Sequence, residues 1–417
     1  MKCIFLLLGV LLVFVSGAEQ EIFMANGGAA GASCGTPESP CVSLEDSFAQ
    51  VEETDIIISV APGYYSGERN TNLDFPHVHL ILQNTDPSDD VIFDCNLLPV
   101  GFKASSTLEL IGITISNCTD TAVEFQADDA TQTVKLTSVL ISSCGSGLVS
   151  NRNIEIQNSK FSDVNDISSD ARSGCGVFVQ GLEIEQVSIQ HSYFENIAKF
   201  SLFVDAPEAT TVSVMGTDFL MTSGIRIASG SKCIGAFSAS EFLAFAESET
   251  QTAVEISGGD WTFSDVITSA AAKGSCRIGI HLNNVRSAII QNSQLYLGDT
   301  VLRATDSNFH ILDSEVISVD TGIHVVFEDP ETSNSISLEG SKIESESMSL
   351  LVDGTAPSDR SGFNFMSVSD TEFVNSNVEI HIPCYGRIHD TEFLGSESRA
   401  LFVTVGVAWE FNGITLE

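Results

Sequence analysis

From Leu108 onward the chain repeats one short pattern: apolar, any, apolar, any, a bend residue, Ser or Thr, any, apolar. It reads LELIGITI at Leu108, IEIQNSKF at Ile154, VSIQHSYF at Val187, VSVMGTDF at Val212, FHILDSEV at Phe309, ISLEGSKI at Ile336, MSVSDTEF at Met366 and GRIHDTEF at Gly386. Weaker copies begin at Val134, Gly235, Trp261 and Ala288, and WEFNGITL begins at Trp409. A second alternating segment follows many copies: AVEF at Ala122, GIRI at Gly224, AVEI at Ala253, GIHL at Gly279, GIHV at Gly322 and VEI at Val378. Alternation with period two predicts strands in both segments, and helical spacing is absent from them. The thirteen starts recur about every 25 residues, the mark of a stacked repeat.

The fifth position of the pattern is Gly, Asn or Asp in ten of the thirteen copies: Gly112, Asn158, Gly216, Asp265, Asn292, Asp313, Gly340, Asp370, Asp390 and Gly413. These residues adopt left-handed backbone angles most readily, so a sharp bend belongs there in every copy. Short strands separated by such bends describe the coils of a parallel β-helix, with equivalent residues stacked about 4.8 Å apart. The octets SDTEFVNS at Ser369 and HDTEFLGS at His389 then recur because each coil needs the same bend, the same Ser/Thr ladder and the same inward Phe. The predicted core positions are Phe161, Phe194, Phe219, Phe242, Phe373 and Phe393.

On these repeats the chain resembles the right-handed parallel β-helix superfamily, often called pectin lyase-like, over nearly all of its length beyond the first 18 residues. CGTPESPCVSLEDSFAQV from Cys34 and DIIISVAPGYYSGERN from Asp55 resemble the opening of secreted protist β-helix proteins and of bacterial polymorphic outer-membrane proteins. The resemblance implies a small loop closed by Cys34 and Cys41, a capping helix, and a first strand ending in Pro-Gly-x-Tyr. Val42 to Val51, with Leu44, Phe48 and Val51 on one face, suits a helix over the open end of the stack. The expected organisation is a signal peptide at 1–18, a Cys loop and capping helix at 19–54, and an all-β parallel β-helix solenoid at 55–417. A fold that hosts many activities says little about which one is present.

The signal peptide rests on Lys2, the apolar run Ile4 to Val15, and the small residues Ser16, Gly17 and Ala18. It predicts a secreted, extracellular or cell-surface protein. No later apolar run is long enough to span a bilayer, and no long hydrophobic tail marks a lipid anchor. Trp409 to Leu416 restarts the repeat without completing a coil, which predicts a shortened chain or self-association through the final edge.

Fifty-six acidic residues against eighteen basic ones give a net charge of -38, which repels nucleic acid and favours cationic partners. Charged residues are only 18% of the chain and hydrophobic ones 43%, so the acidity decorates a chain with ample core. Nine of ten cysteines remain after the leader, an odd number in an oxidising compartment. Cys118 and Cys144 each fall ten residues after a repeat start, so they stack within disulfide range or form a buried thiol ladder. Cys95, one coil back, competes for the same partner. Cys175, Cys233, Cys276 and Cys384 are far apart in coil number and are expected as buried thiols. Asn117 opens the single Asn-x-Ser/Thr sequon and is a candidate glycosylation site.

Catalytic patterns of the superfamily fail residue by residue. Asn84-Thr85-Asp86 and Asp89-Asp90 are too close together for the polygalacturonase-like set, and no Gly-His-Gly or Arg-Ile-Lys occurs. The outward position of the second segment is expected to align Arg226, Glu255, His281 and His324 over five coils, with Leu302 between the histidines. Such a row suits an acidic sugar or proton abstraction, and Arg226 with Glu255 also reads as a plain surface ion pair. Asp370, Glu372, Asp390 and Glu392 fall side by side on adjacent coils, a candidate calcium set or a solvated acidic edge. The leading expectation is a secreted non-catalytic β-helix acting as a structural, adhesive or glycan-binding surface, with no required cofactor. The alternative is a polysaccharide lyase or glycoside hydrolase acting on acidic polysaccharide.

Overall fold

The computed structural model describes residues 20–416 except 32, 52–54, 76–78, 166–169, 171, 207–208, 223, 231, 244–251, 270–275, 297, 330–332, 355–363, 376, 396–399 and 404–405. The expected signal peptide lies outside the described residues. A typical coil contributes two short strands, such as Leu108–Ile111 and Ile113–Ser116, to a 29-stranded sheet, and a third, such as Thr121–Phe125, to a 14-stranded sheet. Each strand pairs in parallel with its equivalent in the next coil, and this repeated register defines a parallel β-helix.

The sequence register holds at every step. Leu108 pairs with Val134, Val134 with Ile154, Ile154 with Val187, and Val187 with Val212. The series continues through Gly235, Trp261, Ala288, Phe309, Ile336, Met366, Gly386 and Trp409. All thirteen bend residues have φ between 45° and 65°, and these include Ser138, His191 and Ala239, which are neither Gly, Asn nor Asp. The coil geometry therefore overrides local preference at those three positions.

The hydroxyl after the bend carries the corner. Ser192 Oγ accepts from the Ser159 N–H at 3.2 Å and donates to the Gln190 carbonyl at 2.8 Å. Ser314 Oγ accepts from the Ser293 N–H and donates to the Leu312 carbonyl, and Ser341 Oγ does the same for Ser314 N–H and the Glu339 carbonyl. These hydroxyls are buried, and each satisfies a backbone group that the turn leaves without a ladder partner. Two residues further on, Phe161, Phe194, Phe219 and Phe242 stack with centroids 4.8, 5.1 and 5.0 Å apart, and Phe373 stacks on Phe393 at 5.2 Å. All six are buried, as expected.

The weaker copy at Gly235 has a packing cause. A Cβ on Gly235 would run into the six-membered ring of Trp261, one rung on, and Gly386 faces Trp409 in the same way. Both tryptophans of the chain thus fill space vacated by a glycine in the preceding coil.

At the amino end the solenoid starts earlier than the expected boundary at 55. Gln20–Ala29 is a strand that pairs in parallel with Asp55–Val60, so the Cys loop and helix are inserted between the first two rungs. The helix spans only Leu44–Phe48, capped by Ser43, whose Oγ accepts from the Asp46 N–H. Leu44 is buried and the Phe48 ring packs edge-on against Phe75 at 5.1 Å. At the other end, Gly406–Leu416 pairs with Cys384–Leu394, and Phe411 and Leu416 are exposed.

Cys34 and Cys41 form a disulfide, as the resemblance implies. The second disulfide joins Cys95 to Cys118, with Cα atoms 4.9 Å apart, and corrects the pairing of Cys118 with Cys144. Cys118 has a cysteine on the rung before it and one on the rung after it, so rung spacing alone favours neither partner. Cys144 remains a buried thiol, as do Cys175, Cys233, Cys276 and Cys384.

Candidate functional site

The 14-stranded sheet has one row of outward positions, interrupted at the surface where Val149 and Phe178 are buried with Cys175 in a small apolar cluster. Its strands are held in register by buried neighbours on either side of each outward residue, so the row follows from the alternation itself. From Lys103 it runs through Glu124, Val149, Phe178, Phe203, Arg226, Glu255, His281, Arg303, His324, Leu351, Glu379 and Phe402.

Arg226, Glu255, His281 and His324 are thus brought together on five rungs, as expected. The residue between the histidines is Arg303, which corrects Leu302. In Thr300–Thr305 both Val301 and Leu302 are buried, and Val301 stands where the neighbouring rungs carry Ala253, Gly279 and Gly322. Two adjacent buried residues blur the alternation, and the true outward position falls one residue later.

The chemistry of the row changes along its length. Phe178 and Phe203 are stacked at 4.8 Å and nearly parallel. Arg226 Nε lies 3.4 Å from Glu255. His281 Nε2 faces Thr305 Oγ1 at 3.3 Å, and His324 Nε2 lies 3.2 Å from Asp353 Oδ2. Burial lowers the pKa of His281 below its usual value, the Arg303 guanidinium lowers it further, and Glu255 and Glu328 oppose them. His281 is therefore a neutral imidazole at neutral pH. Arg303 Nε is shielded from solvent and has no hydrogen-bond partner among the described residues.

Elsewhere the candidate residues have local roles. Asn84 Nδ2 donates to the Asp89 carbonyl, and Asp86 accepts from the Ser88 N–H and hydroxyl, which hold its carboxyl below the usual range. That is a self-contained turn. Glu372 pairs with Glu392 in register, and Asp370 donates its N–H to the His389 carbonyl on the rung that carries Asp390. All four carboxylates are exposed, and among the described residues no group of three or more His, Cys, Asp or Glu is placed to hold a metal ion. Asn117 is exposed, its Nδ2 donates to Asp94 at 3.0 Å, and the middle residue of its sequon, Cys118, is in the disulfide. A polar concavity of about 370 Å³ on the large sheet, lined by Glu109, Lys135, Glu155, Gln157 and Gln190, was not anticipated. Its stacked glutamines are legible only once the rungs are aligned.

No family model matches the chain, and no curated protein matches it. Among solved structures it is similar to the periplasmic alginate epimerase AlgG, at 9% identity over 90% of this chain and 82% of that one, with a TM-score of 0.39. It is similar to pectate lyase Pel9A at 8% identity over 93% and 79%, with a TM-score of 0.31. A GH87 α-1,3-glucanase from Streptomyces thermodiastaticus strain HF3-3 gives 12% identity over 88% and 66%, with a TM-score of 0.39. Likeness at this level carries no inference about chemistry. The class of the protein, a parallel β-helix, rests on its own strand register.

Proposed function

We propose that the chain is a secreted β-helix whose 14-stranded sheet binds an anionic polysaccharide along its outward row, without turning it over. The observation that carries this reading is the run Arg226, Glu255, His281, Arg303, His324 on five consecutive rungs of a molecule of net charge -38, with Arg303 Nε lacking a hydrogen-bond partner among the described residues. In so acidic a protein, Arg226 and Arg303, separated on the row by Glu255 and the neutral His281, offer guanidinium groups that suit carboxylate or sulfate geometrically. Phe203 at one end offers an apolar face for a sugar ring. The expected signal peptide and the two disulfides support placement outside the cytosol. Among the described residues no helix is long and apolar enough to cross a membrane.

Calorimetry of the mature chain against polyuronate and sulfated oligosaccharides tests the reading. Binding that weakens with salt and is lost in Arg303→Ala supports it. Equal binding by parent and Arg303→Ala moves the ligand elsewhere, and no binding by the parent removes the proposal.

A second reading is favoured by His281, neutral beside Arg303, which is the protonation state a general base requires. It is elimination on an acidic polysaccharide, detected as ultraviolet absorbance of an unsaturated product and abolished in His281→Ala. Appearance of that product would replace the non-catalytic reading.

A further inference from the structure

Three cysteines occupy the same corner on three successive rungs. Cys95 is bonded to Cys118, and Cys144 follows Cys118 one rung on. The register between the last two is tight: Ser116 pairs with Ser142, the Asn117 N–H donates to the Ser142 carbonyl, and the Gly145 N–H donates to the Cys118 carbonyl at 3.0 Å. Cys118 and Cys144 also sit alike in their coils, each with Sγ against the carbonyl two residues back, Ser116 and Ser142 respectively. Both side chains are buried, yet both line one surface opening together with Thr119, Ser143, Gly145, Asp163 and Asn165. A buried thiol one rung from a disulfide and in register with one of its two cysteines is placed for exchange.

We infer that Cys95, Cys118 and Cys144 form a thiol–disulfide exchange site in which the bond migrates along the solenoid axis between Cys95–Cys118 and Cys118–Cys144. The Cys144 thiolate attacks Cys118 Sγ, a Cys118–Cys144 bond forms as the Cys95–Cys118 bond breaks, and Cys95 leaves as a thiolate that takes up the proton. One disulfide and one thiol exist before and after, so no external oxidant or reductant is needed. Burial lifts the Cys144 thiol to about 11, so the attacking thiolate is scarce at neutral pH and exchange speeds up by about tenfold per pH unit below that value.

Tryptic mapping reads the two pairings directly, because cleavage after Arg69, Lys103, Lys135 and Arg152 puts each of the three cysteines in a different peptide. Folded parent protein is held at pH 9, quenched with acid, alkylated under denaturing conditions and digested. The expected result is a mixture of the 70–103/104–135 and 104–135/136–152 cross-links, with the second growing from pH 7 to pH 9. Cys95→Ser, with its fold checked by circular dichroism, is expected to give only the second cross-link, and Cys144→Ser only the first at every pH. Alkylation of both Cys118 and Cys144 in folded Cys95→Ser overturns the inference. So does a parent protein in which, of Cys95, Cys118 and Cys144, only Cys144 is alkylated at every pH and time.

Discussion

The indole of Trp261 lies over Gly235, one rung before it, and its Nε1–H donates to the Gly258 carbonyl at 2.8 Å. The hydrogen bond fixes the ring from below while the missing Cβ makes room for it. Gly235→Ala should therefore cost about 1 to 3 kcal/mol of overpacking, read as a lower midpoint in denaturant unfolding. An unchanged midpoint would mean that the indole swings aside at no cost.

Phe194 is sandwiched between Phe161 and Phe219 in the stacked column. Removing it leaves a void with rings on two sides that the rungs hold apart, so Phe194→Ala should destabilise by roughly 3 to 5 kcal/mol. A melting temperature equal to that of the parent would show that the register is wrong.

Ser314→Ala should strand the buried Ser293 N–H and cost about 1 to 3 kcal/mol. Ser314→Thr should be close to neutral, since Thr371 and Thr391 already fill the equivalent corner and donate to the Ser369 and His389 carbonyls. Equal loss in both variants would assign the effect to shape and not to the hydroxyl.

For His281 the folded-state pKa lies below the unfolded value of 6.5. The unfolded chain then binds more protons in that window, so stability is full above about pH 6.5 and falls as pH drops through the lowered value. His281→Asn should flatten that part of the pH–stability curve. A parent curve that rises on acidification across the same window would contradict the shift.

The carboxylates of Asp370, Glu372, Asp390 and Glu392 are exposed on two rungs, where like charges about 5 Å apart repel by only about 1 kcal/mol in water. Calcium titration should give no stoichiometric heat that is lost in the double variant Asp370→Asn with Asp390→Asn, and that variant should melt slightly higher. Stoichiometric heat in the parent that vanishes in the variant would make these four residues a calcium site.

What the sequence made legible was whatever each coil must repeat. The bend at Asp370 and Asp390, the hydroxyl after it and the inward Phe recur because every rung has the same corner to turn, so the register could be followed from Leu108 to Trp409. Rungs before Leu108 turn by other routes: Asp55–Val60 and His79–Asn84 pair in register but lack the bend, and Gln20–Ala29 is separated from them by the Cys loop. Arg303 was missed because the buried pair Val301 and Leu302 carries a Val where other rungs have Ala253, Gly279 and Gly322, so period-two alternation counted from Val301 points to Leu302 as outward. The choice of Cys95 over Cys144 was hidden for a different reason: Ser116 pairs with Ser142, which puts Cys144 in register with Cys118, whereas Asp94 pairs with Ser116, which puts Cys95 opposite Asn117, so the register pointed away from the partner that is bonded.

The outward row has one more property. Arg226 to Glu255, Glu255 to His281, His281 to Arg303 and Arg303 to His324 are separated by 29, 26, 22 and 21 residues of chain, yet each step on the surface is a single rung. Distance along this face is therefore measured in rungs and is indifferent to how much chain a coil spends on its loops. Insertions and deletions between rungs can accumulate without altering the spacing of the groups that a ligand meets, so the molecule is a graduated scale whose marks can be rewritten one at a time.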